Sequence, residues 1–346
     1  MGLPVLLVHG WLSGPRTFGA LPESLRAAGH RVLPVFQQYG SWPRGVTLDD
    51  LAAELDRALR GALAQLDAPP VIIGHSMGGL VARTWMLRHH AALGRPAPVA
   101  RLIECASPRH GVFLARFGRG TISLGLVPGT TLARQMLAPN PFLWDLAWGE
   151  HEHAARLPPV ISIAALLQRT TLLSVLAGGR ESDGVVPLVC TNPNARFVRG
   201  AGVRTAEGET PARAFRLFQH FAHSGREGIL PLRKAERYAP LERAFLAAVE
   251  GHALDTHGEA ASAHARQTLL ILRQPAGQPA PVLEVEGLDA DPPRRLNAAA
   301  THAAGLTLFL LKAPQANQTL KWKLASTKIS GSIAAGSVTY MDVQPA

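Results

Sequence analysis

The sequence predicts an α/β protein with a mostly parallel sheet flanked by helices, an inserted helical cap and a small C-terminal antiparallel β module. Short apolar runs alternate with amphipathic segments over the first two thirds of the chain, as in parallel sheets. After about residue 251 only short strand-like runs remain, separated by loop residues. A chain of 346 residues that is 47% hydrophobic and 17% charged can bury a large core and is long for one domain.

The strands of the main sheet are predicted from continuous apolar runs, which are typical of strands buried on both faces. These runs lie at residues 4–8, 31–36, 70–74, 99–106 and 171–177. Helices are predicted at 18–28, from 47 onward, and at 80–89. The helix at 47 is the clearest, because Thr47 and Asp50 form a capping pair and leucines then recur at helical spacing.

Residues 112–167 interrupt the alternation and predict the helical cap. The segment is too long and too apolar for a plain loop. It follows a sheet strand on the side where such sheets bind ligands, which favours a lid over an ordinary pair of packed helices.

The C-terminal module is predicted from five strand-like runs. They lie at 267–273, 282–286, 306–312, 320–324 and 337–343. Helix signals are absent between them, and a small, polar stretch precedes them. We therefore divide the chain into a main domain of residues 1–251, a linker of 252–266 and a β-rich domain of 267–346.

Residues 74–78 read GHSMG and match G-x-S-x-G between a buried run and a predicted helix. In this setting the motif predicts that Ser76 is a nucleophile on a strained strand-to-helix turn. The two glycines leave room for the backbone to bend, and the amides at the start of the helix can face a developing oxyanion.

A nucleophilic serine needs a histidine base and an acid, which follow it in the order acid, histidine in this architecture. Asp183 is the preferred acid, because it lies in an Asp-Gly turn shortly after a predicted strand, and Glu181 is the reserve. His223 is the preferred base, because small polar residues and a helix-like segment follow it. His220 is the alternative base.

Two backbone amides are predicted to bind the oxyanion. One belongs to Met77, the residue after the nucleophile, and the other to Trp11, in the loop after the first strand. His9 lies in that same loop and His75 lies beside the nucleophile, and we interpret both as structural.

No metal and no cofactor are predicted. His151 with His153, and His220 with His223, are histidine pairs without a third ligand, and no phosphate-binding or dinucleotide motif is found. The formal charge of +10 comes from scattered arginines rather than a basic block with aromatics, so nucleic-acid binding is not predicted. A diffuse positive surface favours anionic lipid interfaces or acidic partners, or reflects an arginine-rich proteome.

Cys105 and Cys190 are the two cysteines, which excludes a disulfide-rich scaffold. Two unrelated buried thiols are the preferred interpretation, and a single bridge is the alternative. The N-terminus has no basic segment of a secretory signal, and no apolar run reaches the roughly 18 residues of a membrane span. The interpretation is an intracellular soluble protein, although a secreted chain trimmed of its leader would have the same sequence.

Five segments together resemble bacterial lipases and esterases of the α/β-hydrolase superfamily. They are PVLLVHGW near the start, GHSMGGLVAR, SPRHG after a strand, SDGVVP and HSG. The resemblance covers about the first 250 residues and implies the α/β-hydrolase fold. It implies a triad of Ser76, Asp183 and His223, with Trp11 and Met77 as oxyanion donors and without an organic cofactor.

The C-terminal module departs from the minimal pattern of this superfamily, which leaves substrate targeting, surface binding or assembly as its role. Some members carry a structural calcium, and no calcium site can be matched in this sequence. The sequence does not indicate an oligomeric state.

The expected activity is cleavage of carboxylic esters of apolar, lipid-like substrates through an acyl-enzyme, with transient contact with a lipid interface. A serine rather than an aspartate at the turn argues against epoxide or haloalkane hydrolysis. A thioesterase, phospholipase or polyester depolymerase on the same triad is the first alternative. A non-catalytic binding protein is the second, and the complete set of Ser76, Asp183 and His223 argues against it.

Overall fold

The computed structural model gives the positions of thirteen segments of the chain. It describes residues 2–11, 13–36, 45–113, 131–167, 181–199, 206–209, 213–230, 236–254, 258–261, 264–288, 294–316, 318–325 and 329–343. Within these ranges the strands form three sheets. The predicted strand at 171–177 lies outside the described residues.

The strands and helices are numbered in chain order. The strands are β1 (Pro4–Val8), β2 (Arg31–Val32), β3 (Val71–His75), β4 (Arg101–Cys105), β5 (Val160–Leu166), β6 (Arg196–Arg199), β7 (Ala206–Glu209), β8 (Ala214–Gln219), β9 (Glu259–Ala260), β10 (Gln267–Arg273), β11 (Leu283–Glu286), β12 (Arg294–Leu296), β13 (Ala300–His302), β14 (Leu306–Lys312), β15 (Thr319–Leu324), β16 (Ser330–Ala334) and β17 (Val338–Asp342). The helices are α1 (Leu21–Ala27), α2 (Leu48–Leu63), α3 (Met77–Arg88), α4 (Thr131–Met136), α5 (Pro141–Glu152) and α6 (Ala239–Glu250).

The main sheet has the strand order β2-β1-β3-β4-β5-β8-β9. Every pair in it is parallel except β8 with β9. Apolar residues of α1 and α6 pack on one face, and those of α2 and α3 pack on the other. The predicted mostly parallel sheet flanked by helices is thus confirmed, and its strands are continuously apolar because both faces are covered.

Helix α2 begins as predicted. The Thr47 hydroxyl accepts a hydrogen bond from the amide of Asp50 at 3.1 Å, and the Asp50 carboxylate accepts one from the amide of Thr47 at 2.9 Å. This reciprocal pair satisfies two amides that the first turn of a helix leaves without partners. The second predicted strand is shorter than expected, because only Arg31 and Val32 pair continuously with β1 before an isolated bridge at Phe36.

The predicted cap of residues 112–167 needs a correction at its C-terminal end. Residues 160–166 form β5, a fully buried strand between β4 and β8, rather than part of a helical insertion. The sequence VISIAAL packs on both faces of the sheet, as a continuous apolar run does in a parallel strand. Helices α4 and α5 lie within the predicted segment, and residues 114–130 lie outside the described residues.

Helix α5 packs between the main domain and the C-terminal strands. Leu143 and Leu146 join the core that contains α2 and α3. On its other side the ring of Trp144 lies 5.3 Å from that of Tyr340, and the ring of Trp148 lies 5.0 Å from that of Phe197. The apolar side chains of this helix are therefore used in internal packing, and a role as a lid stays a prediction.

The C-terminal strands lie in two sheets. The runs at 267–273 and 306–312 are strands with the predicted bounds. The sheet β12-β11-β15-β16 is antiparallel, as predicted for the module. The six-stranded sheet has the order β13-β14-β10-β17-β6-β7 and is mixed, since β17 is parallel to both β10 and β6. A parallel pair needs a long crossover, which the chain between β10 and β17 supplies.

Strand pairing crosses the predicted linker of residues 252–266. Strands β6 and β7 precede that linker, yet they extend the sheet that contains β10, β14 and β17. One face of this sheet packs on α5, and the other packs on the four-stranded sheet. The division into two domains stays a prediction, and the two parts share one continuous sheet. Among the described residues, no helix is long and apolar enough to cross a membrane.

Candidate active site

Ser76 lies on the turn between β3 and α3. Its backbone has φ 54° and ψ −127°, a conformation that is strained for a residue other than glycine. The amide of Ser76 donates a hydrogen bond to the carbonyl oxygen of Cys105, at the end of the neighbouring strand, over 2.9 Å. The serine is thus held at the carboxyl edge of the main sheet, where ligands bind in parallel α/β folds.

Three glycines allow the chain to pass closely around this turn. A Cβ atom on Gly74 would lie 2.6 Å from the nitrogen of Gly79, and one on Gly10 would lie 2.7 Å from the Cβ of Ser76. A Cβ on Gly78 would overlap the carbonyl oxygen of Val8. The two glycines of the motif therefore meet the steric requirement that the sequence predicted for them.

The structure brings the three predicted triad residues together. The Nε2 atom of His223 lies 2.9 Å from the Oγ of Ser76, and its Nδ1 atom lies 2.7 Å from the Oδ2 of Asp183. Because a carboxylate only accepts hydrogen bonds, Nδ1 carries the proton and Nε2 is left to accept the serine proton. The other oxygen of Asp183 accepts bonds from the amides of Val185 and Val186 at 2.9 and 2.7 Å.

Neighbouring parallel strands position the acid and the histidine. Asp183 lies beyond the end of β5, where the amide of Leu167 donates to the carbonyl of Ser182 over 2.9 Å. His223 follows β8, and its amide donates to the carbonyl of Asp183 over 2.9 Å. Since β5 and β8 are adjacent and parallel, their carboxyl ends bring the two loops together.

Glu181, the alternative acid, and His220, the alternative base, do not contact Ser76 or His223 in the hydrogen bonds of the site. The carboxylate of Glu181 accepts bonds from the amides of Arg266 and Gln267, at the start of β10. His220 is exposed at the end of β8, with φ 65°. The geometry therefore favours Asp183 over Glu181 as the acid and His223 over His220 as the base.

Two further histidines order the loops around the triad. The Nε2 atom of His75 donates to the carbonyl oxygen of His223 over 3.1 Å, and burial lowers the pKa of His75 to about 3. The Nδ1 atom of His9 lies 2.9 Å from the carbonyl oxygen of Gly10, and burial also lowers the pKa of His9. Both rings are neutral near pH 7, in keeping with the structural roles predicted from the sequence.

The predicted oxyanion donors are Met77, which follows Ser76 in the chain, and Trp11, whose neighbour Gly10 lies beside the Ser76 side chain. Met77 is the first residue of α3 and is fully buried. Trp11 is half-buried and follows Gly10, which faces the side chain of Ser76. One amide starts the helix after the nucleophile and the other lies in the loop after β1. These are the two positions that supply an oxyanion hole in this architecture, and that role stays a prediction.

The two cysteines are buried and free. Burial raises the pKa of the Cys105 thiol and that of the Cys190 thiol well above the ordinary value. The preferred interpretation of two unrelated thiols is confirmed, and the alternative of a single bridge is wrong. Neither thiol is a reactive nucleophile near neutral pH, because the thiolate is the reactive form.

A buried network of arginines and glutamates connects α3, α5 and the end of β4. Glu150, on α5, accepts from Arg83 at 2.7 and 3.0 Å and from Arg109 at 2.6 Å, and Arg213 lies 3.6 Å away. Arg109 also bonds Glu104, on β4. Burial raises the pKa of Glu150, but Arg109, Arg83 and Arg213 together hold it below its ordinary value. These charged residues are far apart in the chain, and no sequence motif indicates that they form a buried network.

Replacing Glu150 with alanine is expected to lower the free energy of unfolding by about 3–5 kcal/mol, because buried arginines lose their partner. Urea denaturation followed by circular dichroism measures this effect. Glu152→Ala is the matched control on the same helix, because that carboxylate is exposed and pairs with Arg199 at 3.1 Å. Its expected cost is below about 1 kcal/mol. Equal costs for the two variants would contradict a structural role for the network.

The buried histidines predict a loss of stability in acid. The Nε2 atom of His110 donates to the carbonyl of Asn192, its Nδ1 accepts from the hydroxyl of Tyr340, and burial lowers its pKa to about 3. His75 is lowered similarly. Since histidine has a pKa near 6.5 when unfolded, only the unfolded chain gains protons as the pH falls from about 6.5 toward 3. Each histidine then reduces the free energy of unfolding by up to about 1.4 kcal/mol per pH unit.

Urea unfolding measured from pH 8 to pH 5 tests this expectation. The His110→Gln variant should show a flatter pH dependence than the wild type, whatever its stability at pH 8. The Gln278→Ala variant changes an exposed side chain that does not titrate, and it should leave the slope unchanged. A His110→Gln slope equal to that of the wild type would show that His110 becomes protonated in the folded protein.

Comparison with protein families and with individual proteins identifies relatives for much of the chain. The profile described as "Alpha/beta hydrolase family" matches residues 5–209. Esterase PIR7B from Oryza sativa subsp. japonica is 32% identical over 126 residues, which are 35% of this chain and 47% of that protein. The pimeloyl-[acyl-carrier protein] methyl ester esterase of Aromatoleum aromaticum is 35% identical over 100 residues, 29% of this chain and 35% of that protein. The aligned segments thus span less than half of these relatives.

Solved structures resemble the chain over a greater length. Phospholipase PlaB from Legionella pneumophila has a TM-score of 0.76 at 17% identity, over 99% of this chain and 93% of that chain. The propeptide form of Bacillus licheniformis lipase BlEst2 has a TM-score of 0.50 at 14% identity, over 96% of this chain and 73% of that chain. At these identities the likeness is one of fold, and with PlaB it includes the C-terminal sheets.

Proposed function

The chain belongs to the alpha/beta hydrolase family, and from that premise we propose that it is a serine hydrolase that cleaves carboxylic esters of lipid-like substrates. One observation carries the proposal. The Oγ of Ser76 lies 2.9 Å from Nε2 of His223, whose other nitrogen is bonded to Asp183. A nucleophile, a base and an orienting acid in hydrogen-bond contact are the groups that acyl transfer requires.

The first half of the proposed reaction acylates the enzyme. His223 takes the proton of Ser76 at Nε2 as the serine oxygen attacks the ester carbonyl. Asp183 holds the required tautomer of His223 and stabilises its protonated form. The amides of Trp11 and Met77 donate to the tetrahedral oxyanion. Collapse of this intermediate breaks the ester bond, and the alcohol leaves with the proton from His223.

The second half releases the acid. His223 takes a proton from water, which attacks the acyl carbonyl of Ser76 and forms a second oxyanion in the same place. Collapse of that intermediate frees the carboxylic acid and returns the proton to Ser76. The reaction uses only side chains and backbone amides of this chain and needs no organic cofactor.

The relatives support esters as the substrate class. Two of them are named as esterases, and the solved structures of similar fold are named as a phospholipase and a lipase. The apolar side chains of the predicted cap do not by themselves indicate a lipid-like substrate, because Trp144 and Trp148 of α5 pack against the C-terminal sheet. The lipid-like substrate is therefore proposed from the names of the relatives and structural neighbours. The charge of +10 supports contact with an anionic interface.

A labelling and substrate panel tests the proposal. The purified protein is treated with a fluorescent fluorophosphonate and assayed with p-nitrophenyl esters from acetate to palmitate, a phosphatidylcholine in mixed micelles and an acyl-coenzyme A thioester. We expect covalent labelling and a higher kcat/KM for long-chain esters than for the thioester. Preference for the thioester would make the protein a thioesterase. A protein that is neither labelled nor active on any of these substrates would overturn the proposal.

A further inference from the structure

Glu181 lies two residues before the proposed acid but points to a different part of the molecule. Its Oε2 atom accepts hydrogen bonds from the amides of Arg266 and Gln267, each over 2.9 Å. Its Oε1 atom lies 3.5 Å from the Nε of Arg266, and the side chain is only 9% exposed. A buried carboxylate bonded to two amides is a strong, directional anchor. This anchor fixes Glu181 to the start of β10.

The anchored residue belongs to the turn that presents Asp183. The carbonyl of Glu181 accepts from the amide of Leu188 over 2.8 Å, which closes the turn across Asp183. Within the turn, the amide of Asp183 donates to the carbonyl of Val186 over 3.3 Å. The position of Glu181 therefore sets the position of the Asp183 carboxylate.

The segment of residues 181–192 is also held at its other end, where Asn192 makes hydrogen bonds toward the C-terminal strands. The side chain of Asn192 donates to the carbonyl of Gly336, just before β17, over 2.8 Å. The carbonyl of Asn192 accepts from His110, which is bonded to the hydroxyl of Tyr340 on β17. Residues 181–192 thus span from β10 to β17, and the acid lies within this span.

We propose that Glu181 is a positioning residue, which ties the acid-bearing segment to β10 and so keeps Asp183 within hydrogen-bond distance of His223. The inference rests on the proposed function, because it assigns Glu181 a role in the reaction of Ser76. It also gives the C-terminal sheet a part in the active site, because Gln267 of β10 and Arg266, the residue before it, supply the two amides that hold Glu181. Glu181, the reserve acid that the sequence suggests, thus acts through Asp183 and does not replace it as the acid.

Three variants of Glu181 test the role. Glu181→Ala is expected to lower kcat for a p-nitrophenyl ester by about 10- to 100-fold, since small displacements of catalytic groups have effects of this size. KM should change by less than about twofold, because Glu181 does not touch substrate. Glu181→Gln keeps an oxygen that can accept from both amides, and it should restore kcat to within about threefold of the wild type. Glu181→Asp draws the carboxylate back by one methylene and should have an intermediate kcat.

A double-mutant cycle separates positioning from general loss of structure. On an Asp183→Asn background, Glu181→Ala should lower kcat by less than about twofold, because its effect passes through the Asp183 carboxylate. Multiplicative effects of the two changes would overturn the proposal. All rates are normalised to the concentration of folded protein measured by circular dichroism, and melting temperatures are recorded. If Glu181→Ala does not fold, Glu181→Asp replaces it in the cycle.

A matched control and the wild type complete the experiment. Glu284→Ala removes a carboxylate that pairs with Arg295 on the four-stranded sheet, and it should leave kcat unchanged. A wild-type protein without esterase activity would overturn the proposed function. An active wild type with a fully active Glu181→Ala variant would overturn the positioning role alone.

Discussion

Replacing Ser76 with alanine is expected to abolish ester hydrolysis, lowering kcat by about 100,000- to 1,000,000-fold and leaving only the contribution of binding and the oxyanion site. The effect is this large because the reaction then has no group that can form the acyl-enzyme. The measurement is kcat for a p-nitrophenyl ester, together with labelling by the fluorophosphonate, which reports the nucleophile directly. Removal of the hydroxyl should leave the melting temperature nearly unchanged, since the hydroxyl accounts for little of the local packing.

Ser224→Ala is the control for the loss of a serine hydroxyl close to the site. Ser224 is the exposed residue directly after His223, so its substitution changes the same loop without removing the nucleophile. It should keep the labelling and at least half of the activity. Labelling of Ser76→Ala at the wild-type rate would place the nucleophile elsewhere in the chain.

The sequence predicts best those parts of the fold that depend on residues close to one another in the chain. Strand β1 and strand β3 are continuous apolar runs because helices cover both faces of the main sheet, and that burial is visible in the residues themselves. The start of α2 follows from Thr47 and Asp50, whose reciprocal bonds need only four consecutive residues. The turn at Ser76 was predictable for the same reason, since its glycines and its serine are neighbours in the chain.

The sequence also predicts that Ser76, Asp183 and His223 lie close together, although they are far apart in the chain. The segment that contains Asp183 is bonded to the residue after β5, and His223 follows β8, so two adjacent parallel strands bring both residues to Ser76. The choice of His223 over His220 depended on the loop sequence, and the geometry agrees with it.

The features that were mistaken or missed depend on contacts between distant parts of the chain. The run at 160–166 forms a strand, but it directly follows apolar helical segments, so its place in the chain predicts part of the cap. Pairing of β17 with β6 joins residues on opposite sides of the predicted linker, and no local pattern indicates it. The bond between Arg83 and Glu150 spans 67 positions, and each residue alone resembles an ordinary charged side chain of a helix surface.

Glu181 illustrates a residue whose place in the chain suggests one role and whose contacts suggest another. Its proximity to Asp183 in the chain made it a reasonable reserve acid, because a carboxylate in that turn could face the histidine. The structure turns it toward the amides of Arg266 and Gln267, which follow it by more than 80 positions. Only the arrangement of β10 beside the acid-bearing segment distinguishes an anchor from an acid.

Replacing Asp183 with asparagine is expected to lower kcat by about 1,000- to 10,000-fold, with little change in KM. The reason lies in the hydrogen bonds of the carboxylate. Its Oδ1 atom accepts from the amides of Val185 and Val186, so the oxygen of an asparagine is expected to occupy that position. The amide nitrogen must then face Nδ1 of His223, and it can only donate there.

An imidazole that accepts at Nδ1 carries its proton on Nε2, so it cannot take the proton of Ser76. Attack on the fluorophosphonate uses the same base, and its rate constant should therefore fall together with kcat. Asp49→Asn is the control, because it removes a partly exposed carboxylate of α2 that pairs with Arg88 at 3.1 Å, and it should leave both rates unchanged. If Asp183→Asn kept activity within about tenfold of the wild type, another group would have to hold the tautomer of His223. The loss should not be recovered by raising the substrate concentration, because the defect lies in proton transfer rather than in binding.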